Sequence, residues 1–424
     1  MKFRRHLLPV LLVAAAVGLG QGAAASGIGP DLELDRELRS GADRSCREDV
    51  APPMPRTRPA PTAAAVLPPA QGPYIGSYQI PASPEEIDAF AGSTGGFPPI
   101  VFTFHDWYDY ASSREEPAQP FNAPLEGDGN LRPLQLAEHL RQRGSVLALA
   151  WSIYCCDIDS FWFWARVKRP YGHFQRILDG ADDEFIRTTA RQIRDWGHPI
   201  MLTIVAEFNW QGQFAFGADG RRWMDSVDDI CGQYGDPAWP DGPERIRDLF
   251  IHVIDLFREE GAHNVTWFMY SGNQYMTQNV EGQSKWLHPR FYYPGDDYID
   301  WVGQSVYFID PAWPVDFKDT GSFEAVFRPG YEAWRTVTDR PLFLPEFGIL
   351  AEPERDRRDL WRRVFQEYLP GMPAVQAVTV ADSLLFELYF NLPRISTRAA
   401  DSALLRQLID DGNYSRTLRT GPRQ

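Results

Sequence analysis

Eight apolar runs recur between residues 74 and 380, separated mostly by helical patterns, and two of those runs end in a glutamate. No Gly-rich phosphate loop follows any of them, which argues against a doubly wound open sheet. Together these observations predict an α/β fold: a single (β/α)8 TIM barrel, preceded by a signal peptide and a Pro/Ala-rich linker. The strand candidates are Tyr74–Ile80, Ile100–Phe104, Ser145–Tyr154, Ile200–Phe208, Asn264–Gly272, Asp300–Phe308, Leu342–Phe347 and Ala374–Val380. They are apolar at both parities, as strands covered on both faces of a parallel sheet must be.

The elements follow in order. Met1-Lys-Phe-Arg-Arg-His6 is basic, Leu7 to Gly20 is apolar, and Ala23-Ala-Ala25 supplies small residues. This is the pattern of a secretory signal (residues 1–25), with cleavage expected after Ala25 and a periplasmic or secreted destination. The apolar run is short for a membrane span, so no anchor is expected to remain after cleavage. Residues 26–72 include Ala51-Pro-Pro-Met-Pro55 and Leu67-Pro-Pro-Ala70, a composition that builds no core and reads as a tether. The folded domain is expected over 73–412, with 413–424 a tail. Ser83-Pro-Glu-Glu86 is a capping box that opens the first helix. Pro133–Arg143 and Asp182–Trp196 are amphipathic and each is followed by glycine. Pro243–Glu260, Phe323–Thr336, Glu354–Tyr368 and Arg398–Asp410 supply further helices, while the segment between the fifth and sixth strands is loop-rich.

The net charge of −15 becomes −18 once the first 25 residues, with Lys2, Arg4, Arg5 and no acid, are removed. Nucleic-acid binding needs a basic face, so that class is disfavoured. Aromatic residues make up 13% of the chain and include 14 Trp, more than a core needs, which leaves some to stack on flat ligands such as sugar rings. The four cysteines (Cys46, Cys155, Cys156 and Cys231) permit disulfides in an exported protein: either Cys231 bridges to Cys155 or Cys156, with Cys46 free or taking the other, or all four are unpaired thiols. No Cys/His spacing matches a metal site, no Gly-x-Ser-x-Gly motif occurs, and no cofactor is expected.

The chemistry is carried by the two glutamates. Glu207 closes Pro199-Ile-Met-Leu-Thr-Ile-Val-Ala-Glu207 and Glu346 closes Arg340-Pro-Leu-Phe-Leu-Pro-Glu346. A carboxylate at the end of a buried strand is costly to desolvate, so it marks either a paired structural charge or a working group. In a TIM barrel the working groups sit at the carboxyl ends of the strands, and these would be strands four and seven of one barrel. Two such carboxyls are what a glycosidase needs.

The motifs resemble those of glycoside hydrolase family 26, retaining β-mannanases on a TIM barrel, across most of residues 74–410. The segments that carry the resemblance are Ile177-Leu-Asp-Gly-Ala-Asp-Asp-Glu-Phe-Ile186, Glu207-Phe-Asn209, Asn264-Val-Thr-Trp267, Tyr293-Pro-Gly-Asp-Asp-Tyr-Ile-Asp-Trp-Val-Gly303, Arg340 to Gly348 and Pro393-Arg-Ile-Ser396. The resemblance implies Glu207 as acid/base, Glu346 as nucleophile and Tyr307 as a donor to the nucleophile. It also implies mannan-type polysaccharide as substrate. The chain departs from the family in having Ala206 where His precedes the acid/base, and in Trp210 and Gln211-Gly-Gln213 beyond it.

Other candidates are read from the residues. Asn209 either holds a sugar hydroxyl or bonds loop backbone. His105 and Trp107 lie at the end of the second strand and Trp151 on the third. With Trp210 they are the candidate substrate contacts, against the alternative that each is core. The expected protein is a monomeric hydrolase of β-linked polysaccharide. The alternatives are an inactive barrel that only binds carbohydrate, or a related hydrolase or transglycosylase acting on β-xylan, β-glucan or exopolysaccharide.

Overall fold

The computed structural model describes residues 64–80, 82–107, 121, 131–153, 171–209, 234–272, 287–309, 322–350, 356–384, 387 and 394–423. In chain order the strands are β1 (Ala64–Leu67), β2 (Tyr74–Tyr78), β3 (Ile100–Asp106), β4 (Val146–Ser152), β5 (Ile200–Thr203), β6 (Val265–Ser271), β7 (Trp301–Gln304), β8 (Val306–Ile309), β9 (Leu342–Leu350), β10 (Val375–Ala381) and β11 (Arg419–Pro422). Strands β2 to β7, β9 and β10 pair in parallel, and β10 bonds to both β9 and β2, which closes the sheet. Strand β8 follows β7 after a break at Ser305 and also pairs with β9, so the two make one interrupted barrel strand. The chain is a closed eight-stranded (β/α)8 barrel.

Around it run α1 (Pro84–Thr94), α2 (Pro133–Arg141), α3 (Tyr171–Leu178), α4 (Asp183–Trp196), α5 (Asp241–Glu259), α6 (Phe323–Arg335), α7 (Arg358–Arg362) and α8 (Ala399–Leu408). Their ends obey local rules. Ser83 Oγ accepts the Glu86 backbone N–H at 3.2 Å, and Gly95 and Gly197 stop α1 and α4 in the left-handed conformation. Between β6 and β7 the described residues form only a short 3₁₀ turn, Pro289–Phe291, in the segment read as loop-rich. No helix among the described residues is long and apolar enough to cross a membrane.

Alternation along the strands divides the apolar residues into two cores. Phe102, Ala148, Met201, Phe268, Phe343 and Ala377 fill the barrel, while Val101, Leu149, Leu202, Met269, Leu344 and Val378 pack outward on the helices. Both faces are therefore apolar, which is why the runs show no polar parity. Gly303 is required inside the barrel, because a Cβ there would meet the Phe343 carbonyl oxygen at 1.7 Å.

The expected domain limits of 73 and 412 are too narrow. Strand β1, from the segment read as linker, pairs antiparallel with β11, from the segment read as tail. Val66 caps the amino-terminal end of the barrel: its N–H donates to Thr266 Oγ1 at 2.8 Å and its carbonyl accepts Trp301 Nε1 at 2.9 Å. Four residues of Ala-Ala-Val-Leu carry too little pattern to stand out from Pro/Ala-rich surroundings. The expected strand over 200–208 is also shorter, ending at Thr203 before a turn that holds Glu207.

Candidate active site

Each glutamate is aimed by a departure from regular strand geometry. On β9, Gly303 opposes Phe343 but Val306 opposes Phe347, and on the other side Val378 opposes Leu344 while Val380 opposes Phe347. Both neighbours thus show one extra residue in β9, a bulge in which Pro345 and Glu346 together face Thr379. Proline, with no N–H to give a ladder, is tolerated at such a place. The bulge reverses the alternation. Phe343 points into the barrel, and regular pleating would send residue 346 outward. Instead Phe347 goes out, against Phe323, Trp361 and Phe365, and Glu346 turns in.

Glu207 lies in the turn after β5 with φ 47, the one non-glycine residue among those described in the left-handed region. Such backbone is sparsely populated and, where it persists, concentrates at functional sites. Here it allows consecutive residues to break alternation. Ala206 belongs to the barrel interior, Phe208 packs outward on Tyr292 and Trp334, and Glu207 between them is buried.

Hydroxyls hold both carboxyls. Tyr270 donates to Glu346 Oε1 at 2.8 Å, Tyr307 donates to Glu346 Oε2 at 3.0 Å, and Ser305 donates to Glu207 Oε1. Ser305 and Tyr307 stand two positions apart at the β7–β8 break, so one short piece of chain grips both acids. Alternate strand residues are separated by roughly 7 Å. The acids sense each other. Burial first, and the Glu346 charge second, hold the Glu207 carboxyl well above the usual range, with Ser305 opposing. Burial pushes Glu346 up to about 7, with Tyr270 and Tyr307 opposing. The phenols of Tyr78 and Tyr307 are both raised by burial and then by Glu346, with Glu207 contributing further, so all four groups face one space. Two donors stabilise the ionised form of Glu346 and one serves Glu207 among the described residues. These donors favour ionisation at Glu346 over Glu207.

The remaining sequence-derived candidates fall elsewhere. Asn209 spends its amide on backbone: Nδ2 donates to the Leu287 carbonyl at 2.7 Å and Oδ1 accepts the Gly272 N–H at 2.9 Å. That corrects the reading of Asn209 as a sugar contact; it ties together the segments after β5 and β6. Trp107 and Trp151 are likewise corrected. Both are fully buried, their rings 4.4 Å apart, and they pack against Phe185 of α4. His105 shares their outward parity, is buried, and stands edge-on to Phe121 at 6.0 Å. Trp210 and all four cysteines lie outside the described residues. Among the described residues, Tyr78, Tyr270 and Tyr307 of the barrel interior face the acids, with Phe104 beside Tyr78. Tyr270 and Ser305 were missed. Their signal was a hydroxyl near the carboxyl end of a strand candidate, but with both strand faces apolar nothing marked which side chains turn inward.

The buried carboxyl pair at the carboxyl-terminal end of a closed barrel defines a class of site, one with two acids facing a common space. No protein-family model matches the chain. Among curated proteins it is similar to Endoglucanase H of Acetivibrio thermocellus, 24% identical over 214 residues, a match spanning 50% of this chain and 19% of that protein. The shared part is thus about a fifth of that relative's length. Solved structures similar in fold include the mannanase man26 of Bacillus subtilis, at TM-score 0.49 and 15% identity over 79% of this chain and 85% of that one. Another is a GH26 β-mannanase from Bacteroides ovatus, at TM-score 0.49 and 13% identity over 82% of this chain and 91% of that one.

Proposed function

We propose that this protein is an exported, retaining endo-β-glycosidase that hydrolyses a β-linked polysaccharide of mannan type. The observation that carries the reading is the pair of buried carboxyls, Glu207 and Glu346, facing one space inside the barrel mouth and served, among the described residues, by two hydroxyl donors and one. The family 26-like segments along residues 74–410 support a mannan-type substrate by resemblance, while Ala206 and Trp210 beside Glu207 depart from that family. The name of the curated relative is consistent with a glycan hydrolase.

In this reading Glu346, ionised and fixed by Tyr270 and Tyr307, attacks the anomeric carbon. The proton on Glu207 passes to the leaving glycosidic oxygen as that bond breaks. Glu207, now ionised, then takes a proton from water while the water oxygen displaces Glu346 from the anomeric carbon, which restores both acids with net retention. The basic, apolar, small-residue pattern of residues 1–25 supports export to the periplasm or medium.

The test is turnover of β-mannan, β-xylan, mixed-linkage β-glucan and bacterial exopolysaccharide by purified protein, with product sizing and NMR of the first-formed anomer. Internal cleavage of mannan with retention, lost in Glu346→Ala, is expected. Glycan binding without turnover on any of these would instead establish a carbohydrate-binding barrel.

A further inference from the structure

The bulge that aims Glu346 is spanned by one residue of the neighbouring strand. Thr379 on β10 is fully buried and stands alone opposite Pro345 and Glu346. Its hydroxyl donates to the Pro345 carbonyl and shares its hydrogen with the Leu344 carbonyl at 3.3 Å. Room for its methyl comes from Gly76 on β2, where a Cβ would stand 2.6 Å from Thr379 Cγ2 and 2.3 Å from the Ile100 carbonyl oxygen. We propose that Thr379 is a positioning residue for Glu346, its hydroxyl setting the tilt of the 345–346 peptide and hence the direction of the carboxyl.

The physical reason is local. A bulge removes the regular ladder partner of the residues in it, and a buried carbonyl left without a partner is costly. The Thr379 hydroxyl gives a donor to the carbonyl of the peptide immediately before Glu346. Without it the peptide is free to rotate toward another acceptor geometry. The carboxyl then moves relative to the two phenols on β6 and β8, which are fixed by their own strands. Misplacement of a reacting group by about 1 Å costs on the order of 100-fold in rate. The proposal rests on the reading of Glu346 as nucleophile given above.

The experiment compares Thr379→Val, which keeps the shape and removes the hydroxyl, with Thr379→Ser, which keeps the hydroxyl. Melting temperature, kcat, KM and the pH dependence of kcat/KM are measured on the glycan that the wild-type protein cleaves. Thr379→Val is expected to lose about 10- to 100-fold in kcat with KM within about twofold. Its acid limb is expected to move to higher pH, because misaligned phenols stabilise the carboxylate less, and Thr379→Ser to stay near wild type. A folded Thr379→Val with wild-type kcat and acid limb overturns the proposal, as does Thr379→Ser losing as much as Thr379→Val. Should Thr379→Val fail to fold, Thr379→Ala takes its place in the same comparison. If wild type cleaves nothing, the functional reading falls, and the positioning role is read from ¹³C NMR titration of the Glu346 carboxyl. A raised titration in Thr379→Val supports it, and superimposable curves overturn it.

Discussion

Replacing Glu346 by glutamine should shift stability in the variant's favour, relative to wild type, by an amount that grows with pH. Glu346 is buried to 0% exposure and its carboxyl is raised from an ordinary 4.5 to about 7. The sign follows from proton binding. Between those two pH values the folded protein holds a proton that the unfolded chain has released, so stability falls as pH rises through the window. At about 1.4 kcal/mol per pH unit, the wild-type protein gives up about 3 kcal/mol between pH 4.5 and pH 8 through this one group. An amide at this position does not titrate. Whatever constant cost the amide carries, the difference between Glu346→Gln and wild type should therefore move by about 3 kcal/mol in favour of the variant across that range. Relief of Glu207, whose own carboxyl is raised partly by the Glu346 charge, adds in the same direction. Urea unfolding of both proteins at pH 4.5, 6, 7 and 8, followed by tryptophan fluorescence, measures it. A difference that stays flat with pH would show that Glu346 ionises in the folded state as it does in water, and the electrostatic argument for the site would fail.

Glu207→Ala should lower kcat by about 10²- to 10⁴-fold on polysaccharide, with a smaller loss on an aryl glycoside whose leaving group needs no proton; equal losses on both would refute its role as acid. Tyr270→Phe and Tyr307→Phe each remove a donor that lowers the Glu346 pKa, so each should shift the acid limb of kcat/KM upward, read from pH–rate profiles. Trp151→Ala should cost about 3–5 kcal/mol of stability and leave KM unchanged, since the ring sits between sheet and helices; a KM effect without destabilisation would return it to the substrate.

What could be read from the chain follows from how strongly each feature is written in local composition. The eight strands are apolar on both faces because each is covered twice, and that pattern survives without neighbours. Glu207 and Glu346 were visible because a carboxylate at the end of such a run breaks it. Which way those carboxyls point was not visible. Their aim depends on a left-handed residue at 207 and on one extra residue at Pro345–Glu346, and neither is set by side-chain periodicity. The tryptophans misled for a related reason. Trp107 and Trp151 stand at or near strand ends like a sugar platform, but their parity sends them outward to Phe185. Asn209 follows an acid in a motif, yet its amide is spent on the Gly272 and Leu287 backbone, contacts that only the folded chain brings within reach. The pairing of residues 64–67 with 419–422 joins the two ends of the domain, and no local pattern announces a contact so distant in sequence.

In the proposed mechanism Glu346 is the nucleophile of a double displacement on a β-linked sugar. The most direct test is incubation of the Glu207→Ala protein with a 2-deoxy-2-fluoro-β-mannosyl fluoride, then digestion and peptide mass spectrometry. The expected result is one fluoroglycosyl adduct, on the peptide containing Glu346 and at that residue. A label on any other side chain, or stoichiometric release of inverted sugar with no adduct at any time, would contradict the assignment.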